Sequence, residues 1–213
     1  MTFALIPVKD LAEAKTRLAP VLDEGARREL ARALFQDVVA AALACDALEG
    51  VAAVARDEEV LALAREAGVE GLAEPGGLNV ALTSAAKAVA ARGVERIIVL
   101  AADLPLAQAD DIATVAASEA DIAIVPSGDG GTNALALAPG TLPFLFGPHS
   151  AEHHLAAARE AGHGVERFDL PGLVLDIDRP EDLELLRAAI DSGRPCGAHT
   201  LAALDVGSPA GGG

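Results

Sequence analysis

The chain is poor in aromatic residues, cysteine and positive charge, and each shortage excludes a class of function. It has five Phe and no Trp or Tyr among 213 residues, so side chains on which unpaired bases could stack are scarce. Two cysteines, Cys45 and Cys196, are too few for a disulfide framework or a cysteine-based zinc site. Lys plus Arg total 16 against 32 for Asp plus Glu, a formal net charge of −16, which opposes binding to nucleic acid.

Long apolar runs are also missing. The first residues, MTFALIPVKD, contain neither a basic segment nor a hydrophobic stretch long enough for a signal peptide or a membrane span. We therefore expect a cytoplasmic protein without a membrane partner. A chain of this length can bury a core without help from disulfides or a structural metal, and we expect one domain over residues 1–192 followed by a flexible Gly-rich tail at 193–213.

Apolar runs of strand length alternate with segments of helical periodicity. Strands are predicted at 3–8, 51–55, 71–74, 96–101, 121–126, 134–138 and 173–177, and helices at 23–44, 57–68, 79–91, 108–118, from 150 onward, and at 180–192. This alternation predicts an α/β fold with an open, mostly parallel sheet and helices on both faces. Ligands of such sheets bind at the carboxyl ends of the strands, so functional residues are expected in the loops that follow them.

The loop after the first strand carries a dense cluster of positive charge in an acidic chain. Lys9, Lys15 and Arg17 lie within nine positions of one another, which suits a clamp on a polyphosphate. The alternative is a solvated loop whose cations pair with Asp10 and Glu13. The loop has neither the Gly-rich P-loop pattern nor a dinucleotide fingerprint.

Two other loops contribute carboxylates. Asp103 directly follows the strongest predicted strand, where it suits a magnesium ligand, although an Asp in a turn is an alternative. Asp176 and Asp178, in LDIDRPEDL, are expected on one face of an extended segment. Two neighbouring carboxylates repel each other unless a cation lies between them, so Asp176 and Asp178 also indicate a bound cation.

Three further motifs are candidate ligand contacts. The segment SGDGGTNAL (127–135) could form an anion-binding nest or a hairpin turn. Ser150 is predicted to cap a helix whose first amides would attract phosphate, and the nearby His149 and His153 do not match the HExxH pattern of zinc enzymes. Asn79 and Glu74 are further candidate ligand contacts, but the interpretation of Asn79 as a helix cap is favoured.

Taken in order, these motifs resemble those of the CofC/FbiD family, the guanylyltransferases that make the activated precursor of coenzyme F-420. The shared motifs are PVK…AK-x-RL, DLP, GGTNAL, FG-x-x-S-x-x-x-H and LDIDRPEDL, and they extend from about residue 5 to 185. The resemblance implies a fold related to the A-type nucleotidyltransferases and glycosyltransferases. It also implies that GTP reacts with phosphoenolpyruvate or 2-phospho-L-lactate, giving a guanosine diphospho adduct and pyrophosphate.

The resemblance assigns roles to individual residues. Thr132, Gly147 and Ser150 match positions that hold the phosphoacid, and His154, which matches the histidine of the motif, is expected to bind the substrate with them. Asp103, Asp176 and Asp178 match the magnesium ligands. The catalytic set is then expected to be Asp103 with the three cations of the first loop, Lys9, Lys15 and Arg17. These cations and Asn79 are expected to bind the nucleotide, with Asn79 and Glu74 as the candidate contacts for guanine.

The same motifs are compatible with another acceptor, with a non-catalytic function and with a homodimer. The acceptor could be another acid such as 3-phosphoglycerate, or the protein could bind a nucleotide without turning it over. A homodimer is the commonest assembly for a chain of this kind.

Overall fold

The computed structural model describes residues 1–73 and 76–206. Its strands are Thr2–Val8 (β1), Gly50–Ala55 (β2), Glu70–Ala73 (β3), Arg96–Leu100 (β4), Ile122–Pro126 (β5), Thr132–Leu137 (β6) and Val165–Arg167 (β7). Its α-helices are Glu24–Leu43 (α1), Glu58–Glu66 (α2), Leu78–Ala90 (α3), Ala109–Ala116 (α4), Ser150–Ala161 (α5), Pro180–Asp191 (α6) and Ala198–Val206 (α7). Two short 3-10 helices, Leu11–Glu13 and Thr16–Leu18, lie in the first loop.

The strands form one sheet in the order β3-β2-β1-β4-β6-β5-β7. β1 pairs in parallel with both β2 and β4, so the loops that follow β1 and β4 leave the same edge of the sheet side by side. β6 is antiparallel to β4, and its Ala134 pairs with Leu100 at the end of β4. The first residues of β6 therefore lie at the same edge as the last residues of β4.

Helices cover both faces of the sheet, as predicted. Along β4, Ile98 and Leu100 belong to the core that includes Phe35 of α1, while Ile97 and Val99 belong to the core that includes Leu82 of α3. This alternation follows from the two-residue period of a strand. A strand buried on both faces is apolar throughout, and that property made β4 the clearest strand in the sequence.

One predicted strand is absent from the structure, and one observed strand was not predicted. Residues 173–177 were predicted to form a strand, but Leu173 and Val174 lie in a turn, and the segment stays outside the sheet, held by side-chain and backbone hydrogen bonds to neighbouring loops. The place beside β5 at the sheet edge is taken instead by β7. All three residues of β7 are exposed, so this short strand lacks the apolar pattern by which strands are detected in a sequence.

The prediction of a flexible tail from Gly193 onward is wrong for residues 198–206, which form α7 and pack against α1. Asp37 of α1 is buried and accepts hydrogen bonds from the first-turn amides of α7, His199 N–H at 3.1 Å and Thr200 N–H at 2.7 Å. A Cβ at Gly197 would overlap this carboxylate, so glycine is required where the chain passes Asp37. Residues 207–213, the rest of the predicted tail, lie outside the described residues.

No helix within residues 1–73 and 76–206 is long and apolar enough to cross a bilayer.

We predict that Asp37→Ala lowers the free energy of unfolding by about 2 kcal/mol, because α7 loses the acceptor for two of its amides. Urea unfolding followed by circular dichroism measures this change. Glu29→Ala, an exposed position on the same helix, is the matched control and should leave stability within about 0.5 kcal/mol. Equal stability of the two variants would show that Asp37 does not hold α7.

Candidate active site

A cavity of about 920 Å³ opens at the carboxyl ends of β1 and β4. Its walls come from the first loop, the start of α3, the loop after β4, the start of β6 and the segment before α6. The predicted site residues that line this cavity are Lys9, Lys15, Arg17, Asp103, Thr132 and Asp178. The topology thus brings together side chains that are far apart in the sequence.

The first loop is folded so that Lys15 turns toward the loop after β4. Asp57, which caps α2 by accepting Glu59 N–H at 2.8 Å, also accepts Leu11 N–H at 3.2 Å and so fixes the start of the loop. Lys15 has φ +55° and ψ +32°, a left-handed conformation that costs free energy for a residue other than glycine. Residues held in this conformation are frequent at functional sites.

The Lys15 ammonium lies between two of the predicted metal ligands. It forms an ion pair with Asp103, and its Nζ is 3.1 Å from Asp178 Oδ1. The side chain is only 9% exposed. Burial by itself would lower the Lys15 pKa, but the carboxylates of Asp103 and Asp178 outweigh burial and raise the pKa above its ordinary value.

The other two cations of the first loop are more exposed. Arg17 is 3.6 Å from Asp178 Oδ2 through its Nη1 atom, and its side chain is largely in solvent. Lys9 is exposed and lines the cavity. Lys15 and Arg17 therefore pair with a carboxylate from a distant segment, and Lys9 lines the same cavity.

Asp176 lies in the same group of carboxylates. Its Oδ1 atom accepts a hydrogen bond of 3.2 Å from Asn133 Nδ2. Burial and the nearby Asp103 carboxylate raise the pKa of Asp176 to about 6. The backbone joins the two segments as well, because Ile177 N–H donates to the Asp103 carbonyl at 3.2 Å. Asp103 is therefore close to Asp176 and, through Lys15, is joined to Asp178.

Asp103 and Asp178 pair with the ammonium group of Lys15. Within residues 1–73 and 76–206, no three His, Cys, Asp or Glu side chains are placed to hold one ion together. The donor atoms are nevertheless the hard oxygens that Mg²⁺ prefers. Lys15 shows that this group of carboxylates accommodates a cation.

The glycine-rich segment before β6 forms a hairpin turn. Gly130 N–H donates to the Ser127 carbonyl at 3.2 Å, and Gly131 N–H donates to Asp129 Oδ1 at 3.1 Å. Gly130 has φ +88°, a conformation that glycine adopts without strain. The hairpin interpretation of this motif is confirmed, and these two amides are engaged within the turn, not directed at an anion.

The start of α5 differs by one residue from the prediction. His149, with φ +56°, precedes the helix, and Ser150 is its first residue and not its cap. Ser150 N–H donates to the Gly147 carbonyl and Ala151 N–H to the Gly130 carbonyl, both at 3.2 Å. The first amides of α5 therefore join the turn, the loop and the helix into one unit.

His154 holds this unit from within. It is fully buried, so it lies behind the cavity wall and cannot contact a substrate as the motif suggested. Its Nε2 atom accepts Leu145 N–H at 3.0 Å, and its Nδ1 atom is 3.2 Å from Thr132 Oγ1. Burial, with a smaller contribution from His153, lowers the His154 pKa to about 4, so the ring is neutral at pH 7.

These contacts determine the direction of the Thr132 hydroxyl. Because a neutral imidazole accepts at one nitrogen and donates at the other, Nε2 accepting from Leu145 leaves Nδ1–H of His154 to donate to Thr132 Oγ1. Ser150 Oγ–H also donates to that oxygen, at 3.0 Å. With two donors already directed at its oxygen, Thr132 retains its own O–H proton for a group in the cavity.

Asn79 is neither the predicted cap of the third helix nor free to contact a base in this structure. Gly77 precedes α3, and Asn79 is its second residue. The Asn79 amide donates from Nδ2 to the Phe146 carbonyl at 3.0 Å and accepts Phe146 N–H on Oδ1 at 2.9 Å. Glu74, the other candidate for guanine, lies outside the described residues.

Asn133 is a site residue whose role the sequence did not reveal. It is buried, and its Nδ2 atom donates to the Leu173 carbonyl at 2.9 Å as well as to Asp176. It thereby holds the segment that carries Asp176 and Asp178 against the start of β6. The GGTN motif made Asn133 a candidate donor to an anion, but its partner, some 40 residues later, could not be identified without the fold.

Curated proteins of related sequence align with this chain over most of its length. A phosphoenolpyruvate guanylyltransferase of Chloroflexus aggregans is 43% identical over 201 residues, which cover 86% of this chain and 96% of the relative. A phosphoenolpyruvate guanylyltransferase of Rubrobacter xylanophilus is 41% identical, with 88% and 94% covered. A 2-phospho-L-lactate guanylyltransferase of Methanothermobacter thermautotrophicus is 38% identical, with 85% and 82% covered.

Solved structures confirm the nucleotidyltransferase-like fold. A Desulfovibrio desulfuricans protein described as a nucleotide-diphospho-sugar transferase superposes with a TM-score of 0.81 at 20% identity, covering 96% of this chain and 94% of that protein. A nucleotidyl transferase of Methanothermobacter superposes with a TM-score of 0.66 at 15% identity, with 91% and 99% covered. The family model described as "Guanylyl transferase CofC like" matches residues 2–189. This chain, with its carboxylates gathered around Lys15, belongs to the CofC-like guanylyl transferase family.

Proposed function

We propose that this protein transfers GMP from GTP to phosphoenolpyruvate and releases pyrophosphate, giving enolpyruvoyl-2-diphospho-5'-guanosine for coenzyme F-420 biosynthesis. The observation that carries the proposal is the group formed by Lys15, Asp103 and Asp178 in a cavity that Thr132 also lines. Relatives named for phosphoenolpyruvate support this acceptor. 2-Phospho-L-lactate, named for another relative, is the alternative.

The reaction needs little acid–base chemistry from the protein. The second pKa of a phosphate monoester is about 6, so at neutral pH its oxygen is already ionised and nucleophilic. That oxygen attacks the α-phosphorus of GTP, a new P–O–P bond forms, and the bond from the α-phosphorus to the bridging oxygen breaks as pyrophosphate leaves. The chain's task is to hold two anions together in line.

The cations of the first loop would reduce the repulsion between these anions. Lys15 and Arg17 stand beside Asp178 at the cavity, and Lys9 lines the same wall. A buried ammonium stabilises negative charge more than an exposed one because less water screens it. We assign Lys15, Arg17 and Lys9 to the triphosphate and the leaving pyrophosphate.

Asp103, Asp176 and Asp178 carry the hard oxygen donors that Mg²⁺ prefers. Burial and the nearby Asp103 carboxylate raise the pKa of Asp176, and a cation relieves such crowding of negative charge. We assign Asp103, Asp176 and Asp178 as the residues that would hold Mg²⁺. When bound there, Mg²⁺ would supply positive charge to the reacting phosphates.

The acceptor would bind beside Thr132, which lines the cavity at the start of β6. Thr132 offers its hydroxyl proton to the cavity, because His154 and Ser150 already donate to its oxygen. Gly147, in the loop beside Phe146, has φ +145°, a conformation that allows the backbone to approach a ligand closely. We assign Thr132, Gly147 and Ser150 to the phosphoacid subsite, with Ser150 acting through Thr132.

Incubation of the purified protein with GTP, Mg²⁺ and one acid at a time tests the proposal. We expect pyrophosphate release and an adduct of the mass of GMP plus phosphoenolpyruvate, with less product from 2-phospho-L-lactate or 3-phosphoglycerate. GTP binding without release of pyrophosphate for any acid would contradict the proposal and indicate a non-catalytic nucleotide-binding protein.

Asp103→Asn should reduce Mg²⁺-dependent pyrophosphate release at least about 100-fold, because it removes both a carboxylate ligand and the partner of Lys15. The rate is measured with saturating GTP and phosphoenolpyruvate, and circular dichroism verifies the fold. Asp110→Asn, exposed in the first turn of α4, serves as the control with unchanged activity. Full activity of Asp103→Asn would refute the metal assignment.

Asp176→Asn should stabilise the protein at pH 7 in the absence of Mg²⁺. Because the folded-state pKa of Asp176 is raised to about 6 from 3.8, the stability associated with its bound proton is present below about pH 4 and lost as the pH rises through 6. Removing the charge should therefore add on the order of 2 kcal/mol at pH 7. It should also abolish stabilisation by Mg²⁺.

Urea unfolding at pH 4.5 and 7.5, with and without Mg²⁺, measures both effects. Asp191→Asn, exposed at the end of α6, is the control for loss of one negative charge. If Asp176→Asn were no more stable than the wild type at pH 7.5, the carboxylate of Asp176 would not be under electrostatic strain.

A further inference from the structure

The loop Leu145–Phe146–Gly147, here called the acceptor loop, is held by side chains from two different helices. His154 of α5 accepts Leu145 N–H at 3.0 Å. Asn79 of α3 binds both the N–H and the carbonyl of Phe146, at 2.9 and 3.0 Å. Consecutive backbone groups of the loop are therefore fixed by buried or half-buried partners that belong to other parts of the sequence.

Two reciprocal hydrogen bonds with the backbone of Phe146 use both polar atoms of the Asn79 amide. The carbonyl oxygen and the amino group of a side-chain amide match the donor and acceptor of one backbone residue, as in a strand pairing. In this arrangement Asn79 has its Oδ1 and one Nδ2 proton engaged, so it has little left for the edge of a guanine ring. The geometry favours a structural partner for the loop over a base contact.

Asn79 also joins the two sides of the cavity. Gly77 and Leu78, at the start of α3, line the cavity together with residues of the first loop. Phe146 lines it beside Thr132, and the Phe146 ring packs edge-on against His154 with 5.0 Å between ring centroids. The Asn79 amide is thus a direct link between the start of α3 and the wall that carries Thr132.

We propose that Asn79 is a positioning residue that holds the acceptor loop, and with it Gly147, in the conformation that binds the phosphoacid. The proposal rests on the proposed function for the identity of the acceptor. Asn79 acts through Phe146 and does not touch either substrate. Loss of its two hydrogen bonds releases the loop, so binding of the acceptor weakens while binding of GTP is retained.

Asn79→Ala and Asn79→Asp test this role against a direct contact with guanine. Asn79→Ala removes both bonds. Asn79→Asp keeps the acceptor for Phe146 N–H but places a carboxylate oxygen against the Phe146 carbonyl. Ser84→Ala, exposed on the same helix, is the matched control. The measurements are the KM for phosphoenolpyruvate, the Kd for GTP with Mg²⁺ by calorimetry without an acceptor, and the preference for GTP over ATP.

We expect both Asn79 variants to raise the KM for phosphoenolpyruvate by about tenfold, with the Kd for GTP and the preference over ATP within about twofold of wild type. Ser84→Ala should match the wild type throughout. A weaker Kd for GTP or a lost preference over ATP would overturn the proposal in favour of a guanine contact. If Asn79→Ala fails to fold, the same comparison for Asn79→Asp decides.

Hydrogen exchange separates this proposal from the proposed function. If the wild type makes no adduct with any acid, the proposed function fails, but the Leu145 and Gly147 amides should still exchange faster in Asn79→Asp than in the wild type. Unchanged exchange at both amides would show that Asn79 does not hold the loop, whatever the protein catalyses.

Discussion

The ion pairs of Lys15 with Asp103 and Asp178 are the interaction on which the rest of the site depends. Neighbouring carboxylates repel each other unless a cation lies between them. The ammonium of Lys15, itself buried, offsets that repulsion and joins the first loop, the loop after β4 and the segment before α6. The left-handed conformation of Lys15 is the local cost of placing its side chain there.

The two walls of the cavity differ in how they are built. The wall with Lys15 is charged, and its members are ion-paired with segments distant in the sequence. The wall with Thr132 is neutral and rests on a chain of hydrogen bonds from His154 and Ser150, with His154 kept uncharged by burial. A charged wall suits the phosphates and cations of the nucleotide, whereas a wall of oriented hydroxyl and backbone groups suits one small anion held in a defined direction.

Much of the fold could be predicted because local patterns determine it. The helices predicted to start at residues 23 and 57 do so to within one residue, because Asp23 and Asp57 cap α1 and α2 and a cap acts within three residues. The alternation of strands and helices was sufficient to predict a mostly parallel sheet. Local sequence patterns did not predict segments that depend on residues distant in the chain. The α7 helix depends on Asp37 of α1. Residues 173–177 are held by Asn133 and by the loop after β4, and not by a neighbouring strand.

The sequence motifs singled out Asp103, Asp176, Asp178, Lys15 and Thr132 as candidate site residues. The four charged residues stood out because carboxylates and cations in loops next to predicted strands have few structural roles there. Only the tertiary structure decided which of their neighbours act behind them. The antiparallel direction of β6 puts Thr132 and Asn133 beside the end of β4, and burial removes His154 from the cavity while leaving it in contact with Thr132. Burial and hydrogen-bond partners are properties of distant segments brought together, and residue type and spacing do not contain them.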